Sequence, residues 1–207
     1  VAQSEPAPAF LEASAHLEAF GLLSGEGEVR LVCDTNVYLN AREAIGVTED
    51  GRLRIALGQA NESPDVAVLR AGTIAGIPVR FILAVPVQNE LFYLIRGGYE
   101  QRPQGLEDGR LTAVALRNLM SLHPLGSVEP GGPTVEAQLP DPPLSSAEKN
   151  DRHIWFQAED ARAMLITSDG TLLKAVREQT GRELAALRPI ELIDLAAAFA
   201  RSLGLDP

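Results

Sequence analysis

The chain has 207 residues, of which 18 are basic and 28 acidic, a formal net charge of −10 and an apolar fraction of 45%. That supports one domain with a real core rather than two, and the acidic total excludes nucleic-acid binding driven by overall charge, so that phosphate would have to meet a local basic patch or bound metal. With one cysteine, Cys33, no bilayer-length apolar run and no basic-then-apolar leader, an intrachain disulfide is excluded and a reduced, cytoplasmic setting without membrane contact is expected.

Residues 1–28 are read as an extension: a loose Ala/Pro/Ser start, then a helix over 8–23 with Phe10, Leu11, Leu17 and Phe20 broadly on one side, ended by Gly21, Gly25 and Gly27. Residues 29–207 form the main domain. Its first strand is 29–33, a short apolar, β-branched run of the kind buried in parallel sheets, and it stops at Asp34, with Thr35 and Asn36 able to bond the turning backbone. A short helix over 37–45, a loop over 46–64 and a helix over 65–75 capped by Gly76 follow. The second strand is 79–85; Pro86 ends it and opens a helix over 88–95 with Leu91, Phe92, Leu94 and Ile95 as core candidates. A helix is expected over 108–122, then a long loop over 123–144. Ser145 and Glu148 have capping-box spacing for a helix running to about Ala161. The third strand is 164–167, leading through Ser168-Asp169-Gly170 to a helix over 172–179, a short edge strand within 183–187 and a terminal helix over 191–203. Strands alternating with helices predict an α/β fold: a three-layer α/β/α arrangement around a central parallel sheet of four to five strands.

In such sheets ligands bind beyond the carboxyl ends of the strands. Asp34 ends the first strand, Asp169 follows the third, and Glu90 lies one turn into the helix after the second. Asp151 begins an otherwise apolar helical stripe with Ile154, Trp155, Ala158 and Ala161, where a carboxylate would need a partner. Each acid also has an ordinary reading: Asp34 as a turn residue, Glu90 and Asp151 as acids favoured by a helix dipole, Asp169 as an N-cap. Four carboxylates without metal-spaced His or Cys would suit magnesium or manganese rather than zinc, and carboxylate-held divalent ions commonly serve phosphodiester cleavage. Arg42, Lys149, Arg152 and Lys174 are candidate phosphate contacts. Cys33 and Trp155 are read as core, and His16, His123 and His153 as structural or solvated.

Four pieces, in order, carry a resemblance to a known family: Val32-Cys33-Asp34-Thr35-Asn36, Val87-x-x-Glu90-Leu91, Asn150-Asp151-x-x-Ile154 and Leu165-Ile166-Thr167-Ser168-Asp169. The chain resembles the PIN-domain nucleases, which include the VapC-like toxins, over residues 29 to about 200. The resemblance implies that Asp34, Glu90, Asp151 and Asp169 are catalytic and hold magnesium or manganese, with Asn36 and Ser168 supporting them by hydrogen bonds. It implies a ribonuclease using a metal-activated water, a homodimer, and, for a toxin, an antitoxin-like protein partner. The alternative is a catalytically weak PIN module that binds RNA or a protein. A phosphatase of the haloacid-dehalogenase type also places an Asp after its first strand, but its second Asp, two residues on, is Asn36 here.

Overall fold

The computed structural model describes residues 27–43, 45–47, 53–55, 63–74, 76–94, 96, 128–130, 146–202 and 204. At its centre is β1 (Val29–Cys33), where Leu31, Val32 and Cys33 are at most 2% exposed. Consecutive strand residues face opposite sides, so burial of all three means the sheet is covered on both faces. β1 pairs in parallel with β5 (Ile77–Leu83), Leu31 opposite Phe81, and with β7 (Met164–Ile166), Cys33 opposite Ile166. Beyond β7 lies β8 (Ala186–Leu187), also parallel. On the far edge of β5, β4 (Thr73–Ile74) pairs antiparallel near its start and β6 (Val128–Pro130) parallel near its end. The sheet is therefore five positions wide and mostly parallel. A separate hairpin joins β2 (Ile45–Val47) to β3 (Leu53–Ile55).

The helices are α1 (Thr35–Glu43), α2 (Pro64–Leu69), α3 (Val85–Tyr93), α4 (Ser146–Asp160), α5 (Gly170–Thr180) and α6 (Pro189–Ser202), with a 3₁₀ turn at Glu183–Ala185. Together with the sheet they make the expected three-layer α/β fold. α5 starts on Asp169, whose Oδ1 accepts from the Thr171 and Leu172 N–H groups, and it ends at Gly181 with φ +65°, a left-handed C-cap that glycine adopts without strain.

Several expected elements differ. The stretch 65–75 is not one helix: α2 stops at Leu69, and Thr73–Ile74 turn back along β5 through Gly76 at φ +85°. Glycines at 72 and 76 around a β-branched pair favour a hairpin over continued helix. The antiparallel pair β2–β3 takes Ile45 from the helix expected over 37–45 and otherwise lies in the loop expected over 46–64, and the loop over 123–144 contains β6, whose backbone groups pair with the edge of β5. The second strand ends at Leu83, and Val85 already belongs to α3. Phe92, expected in the core, is 41% exposed, because Val87, Leu91 and Leu94 take the buried face of α3. The helices over 8–23 and 108–122, the cap at Ser145, Ile95, His16 and His123 lie outside the described residues.

Candidate functional site

Among the described residues four polar side chains are buried: Asp34, Thr35, Gln157 and Thr167. A buried polar group is costly unless its hydrogen bonds are made, so each must be held by something. All four meet backbone or side chains where β1, β5 and β7 end. Taking the parallel strands in chain order (β1, β5, β6, β7, β8), the chain builds outward from β1 through β5 to β6, then returns to lay β7 and β8 on the other side. The reversal falls between β1 and β7, and such a switch point opens a crevice beyond the strand ends.

Asp34 sits at that point. Its N–H donates to the Ile166 carbonyl at 2.8 Å, carrying the β1–β7 ladder one residue past the strand, and its carbonyl accepts from Val37 at 3.0 Å as α1 begins. The residue is 5% exposed. Oδ2 accepts from the Thr167 hydroxyl at 2.9 Å and from Asn36 Nδ2 at 3.3 Å. Burial pushes the Asp34 carboxyl above its ordinary range; the Thr167 hydroxyl and the Thr35 N–H pull it down, while the charges of Glu90 and Asp169 raise it. Asp34, Glu90 and Asp169 are thus close enough to repel.

Each of these acids is also tied to the protein. Glu90, exposed on α3, accepts from the Thr35 hydroxyl at 2.8 Å, which binds α3 to the turn after β1. The Thr167 hydroxyl both donates to Asp34 and accepts from the Asp169 N–H at 3.0 Å, so one side chain joins the two strand ends. Asp169 uses Oδ1 to cap α5. Asn36 meets Asp34 as the sequence suggests. Ser168 does not: its hydroxyl donates to Asp65 at 3.2 Å, because Ser168 is exposed and turned toward α2 rather than toward the buried carboxylate.

Asp151 is half-buried in the first half of α4, one turn before the buried Ile154 and Trp155. A tight turn joins α4 to β7, so the two run in opposite directions and the first half of α4 lies toward the carboxyl edge of the sheet. Lys149, exposed, and Arg152, half-buried, share that half. Lys174 is exposed in the second turn of α5 and pairs with Glu178 at 3.7 Å, a surface pair of small energetic weight. Arg42 occupies the last turn of α1, two turns from the strand end where that helix begins; its side chain is outside the described part.

Four participants escaped the sequence. Thr35 and Thr167 read there as turn and strand residues. Gln157 read as an ordinary helix residue, yet its Oε1 accepts from the Val85 N–H at 2.7 Å and caps the start of α3. Asp65 read as a helix-opening acid; it accepts from Ser63, Asn40 and Ser168, and with Asp34 it raises the pKa of the Cys33 thiol, which burial lifts most. Only Asp65 carried a chemical signal, as a fifth acid.

The donor set is all oxygen, which suits a hard divalent cation. Among the described residues no three His, Cys, Asp or Glu side chains stand close enough together to cage an ion. Magnesium keeps several waters and commonly takes only one or two protein carboxylates, so the repelling acids around Asp34 fit it in chemistry. No protein-family model matches the chain, and no curated protein matches it.

Proposed function

We propose that the protein is a metal-dependent endoribonuclease with a PIN-like domain, working at the crevice between the ends of β1 and β7. The observation that carries this reading is the buried carboxylate of Asp34, held at a topological switch point and raised in pKa first by burial and further by the charges of Glu90 and Asp169. A fold gains no stability from burying a carboxylate beside two others, and such perturbed acids mark functional sites. In this reading Asp34, Glu90, Asp151 and Asp169 are the acids of the crevice, and one or two of them at a time would hold magnesium or manganese with its waters, which would activate water and neutralise phosphate. Thr167 and Asn36 aim the Asp34 carboxylate, Thr35 fixes Glu90, and Asp169 keeps Oδ1 on its helix cap. Lys149 and Arg152 supply positive charge for the RNA backbone beside Asp151. The finer form of this reading is the toxin of a toxin–antitoxin pair, dimeric, and silenced by a basic side chain of its partner set among the acids.

The second reading is a PIN module that binds RNA or a protein without cutting. It is favoured by the protein donors already engaging Asp34, Glu90 and Asp169. One assay separates the two: cleavage of mixed-sequence single-stranded RNA with magnesium, manganese or EDTA, by wild type and Asp151→Asn side by side. Metal-dependent cleavage lost in the variant supports the enzyme. RNA binding without cleavage in either metal supports the module, and cleavage equal in both proteins removes Asp151 from the site.

A further inference from the structure

α3 divides cleanly into two faces. Pro86, Val87 and Leu91 are buried, as is the C-cap Leu94, while Asn89, Glu90, Phe92 and Tyr93 are exposed, as is Arg96 past the end of the helix. Among the described residues only three large hydrophobic side chains stand exposed, and two of them are the adjacent Phe92, at 41%, and Tyr93, at 55%. Adjacent exposed aromatics on a helix whose other face already fills the core are not needed for folding, and they leave apolar area in water.

Their neighbours narrow what they could meet. Tyr93 is one turn beyond Glu90 and four residues beyond Asn89, so the three side chains neighbour one another on the helix surface. Glu90 reaches the turn after β1 through Thr35, so this stripe leads out of the crevice around Asp34. At its far end Arg96 is exposed and pairs with no carboxylate among the described residues. In a chain of net charge −10, an arginine with no carboxylate partner among the described residues, three and four positions beyond two exposed aromatics, offers a local positive charge. An aromatic face next to a guanidinium is what a single-stranded nucleic acid recognises: a base stacks on the ring and the adjoining phosphate meets the cation.

We propose that Tyr93, with Phe92 beside it, is a stacking platform for an unpaired base of the RNA, and that Arg96 holds a neighbouring phosphate, so that the strand runs along α3 toward Glu90. This inference rests on the ribonuclease reading and adds to it the part of the substrate recognised: single strands, with little preference for base identity. A protein partner, or a second copy of the chain, covering the same aromatics is the competing occupant, and the charge of Arg96 disfavours it.

The test uses the full chain and a short fluorescein-labelled single-stranded RNA of mixed sequence, with binding followed by anisotropy in EDTA. Tyr93→Ala is expected to weaken binding by about 5- to 100-fold, while Tyr93→Phe, which keeps the ring, stays near wild type. Arg96→Gln should flatten the dependence of log Kd on log salt by about 0.7, the share of one single-strand phosphate contact. Matching duplex RNA should bind equally to wild type and Tyr93→Ala. Because these side chains are exposed, unchanged far-UV circular dichroism is expected for all three variants. Wild-type binding or cleavage unchanged by Tyr93→Ala and Arg96→Gln would overturn the platform and leave the ribonuclease reading standing. Variants that alter self-association in light scattering without altering RNA binding would assign the aromatics to a dimer face and overturn it as well. A wild type that neither binds nor cleaves RNA in manganese would remove both readings together.

Discussion

The hydroxyl of Thr167 donates to Oδ2 of Asp34 at 2.9 Å, in a fully buried contact between residues 133 positions apart. The Thr167 hydroxyl oxygen also accepts the Asp169 N–H, so Thr167 fastens the end of β7 to the end of β1. Thr167→Val keeps the shape and removes the donor, leaving a buried carboxylate with one partner fewer. A loss of about 1–3 kcal/mol is expected at neutral pH, read from urea denaturation, with Thr167→Ser close to wild type. Equal stability of the valine variant would mean that the bond contributes nothing to the fold.

Asp34→Asn is expected to stabilise the metal-free protein. The native pKa of Asp34 is raised above its ordinary value of 3.8, so the folded state binds its proton more tightly than the unfolded state does. Stability from this group therefore falls as pH rises. The penalty is absent below about pH 3.8, where both states are protonated, and complete above the raised native value. The melting temperature of Asp34→Asn should accordingly exceed that of wild type at pH 7 and converge with it in acid. Manganese should raise the wild-type value and leave the variant almost unmoved. A gap between the two proteins that widens in acid would reverse the assignment.

Asp169 has two duties that substitutions can separate. Asp169→Ser keeps a cap for the Thr171 and Leu172 N–H groups while removing the charge, whereas Asp169→Ala removes both. The alanine variant should lose about 0.5–2 kcal/mol and the serine variant much less. Both should be inactive on RNA if the carboxylate serves the site, and full activity of Asp169→Ser would reduce Asp169 to a cap.

Cys33 is 2% exposed, and burial, with Asp34 and Asp65 nearby, pushes its thiol far above the ordinary range. A buried, protonated thiol does not react. Iodoacetamide followed by mass spectrometry should leave native protein unlabelled, with labelling rising along the urea unfolding curve. Modification in native buffer at the rate of a free peptide thiol would contradict the burial of β1.

The strands around the site were legible because their residues announce them. The run 29–33 is short, apolar and rich in β-branching, and Asp169 and Gly181 bracket α5 with a donor-satisfying cap and a left-handed stop. The stretch 65–75 misled, because a few apolar residues at mixed spacing satisfy a helix and a turn–strand unit equally. Phe92 misled for a related reason: three other apolar residues of α3 already fill the buried stripe, and composition does not say which of four wins.

By itself the sequence determined that acids stand at strand ends: local hydrophobic runs decide where a strand begins and stops, so Asp34 and Asp169 could be placed from their neighbours alone. Which acids meet was decided by the order of strands across the sheet. That order puts β1 between β5 and β7 and sets Thr167 against Asp34, Thr35 against Glu90 and Gln157 against Val85. It also sends Ser168 to Asp65. Parallel strands pair through register and crossover geometry over many intervening residues, and a hydroxyl bonds whatever donor or acceptor that packing brings within about 3 Å.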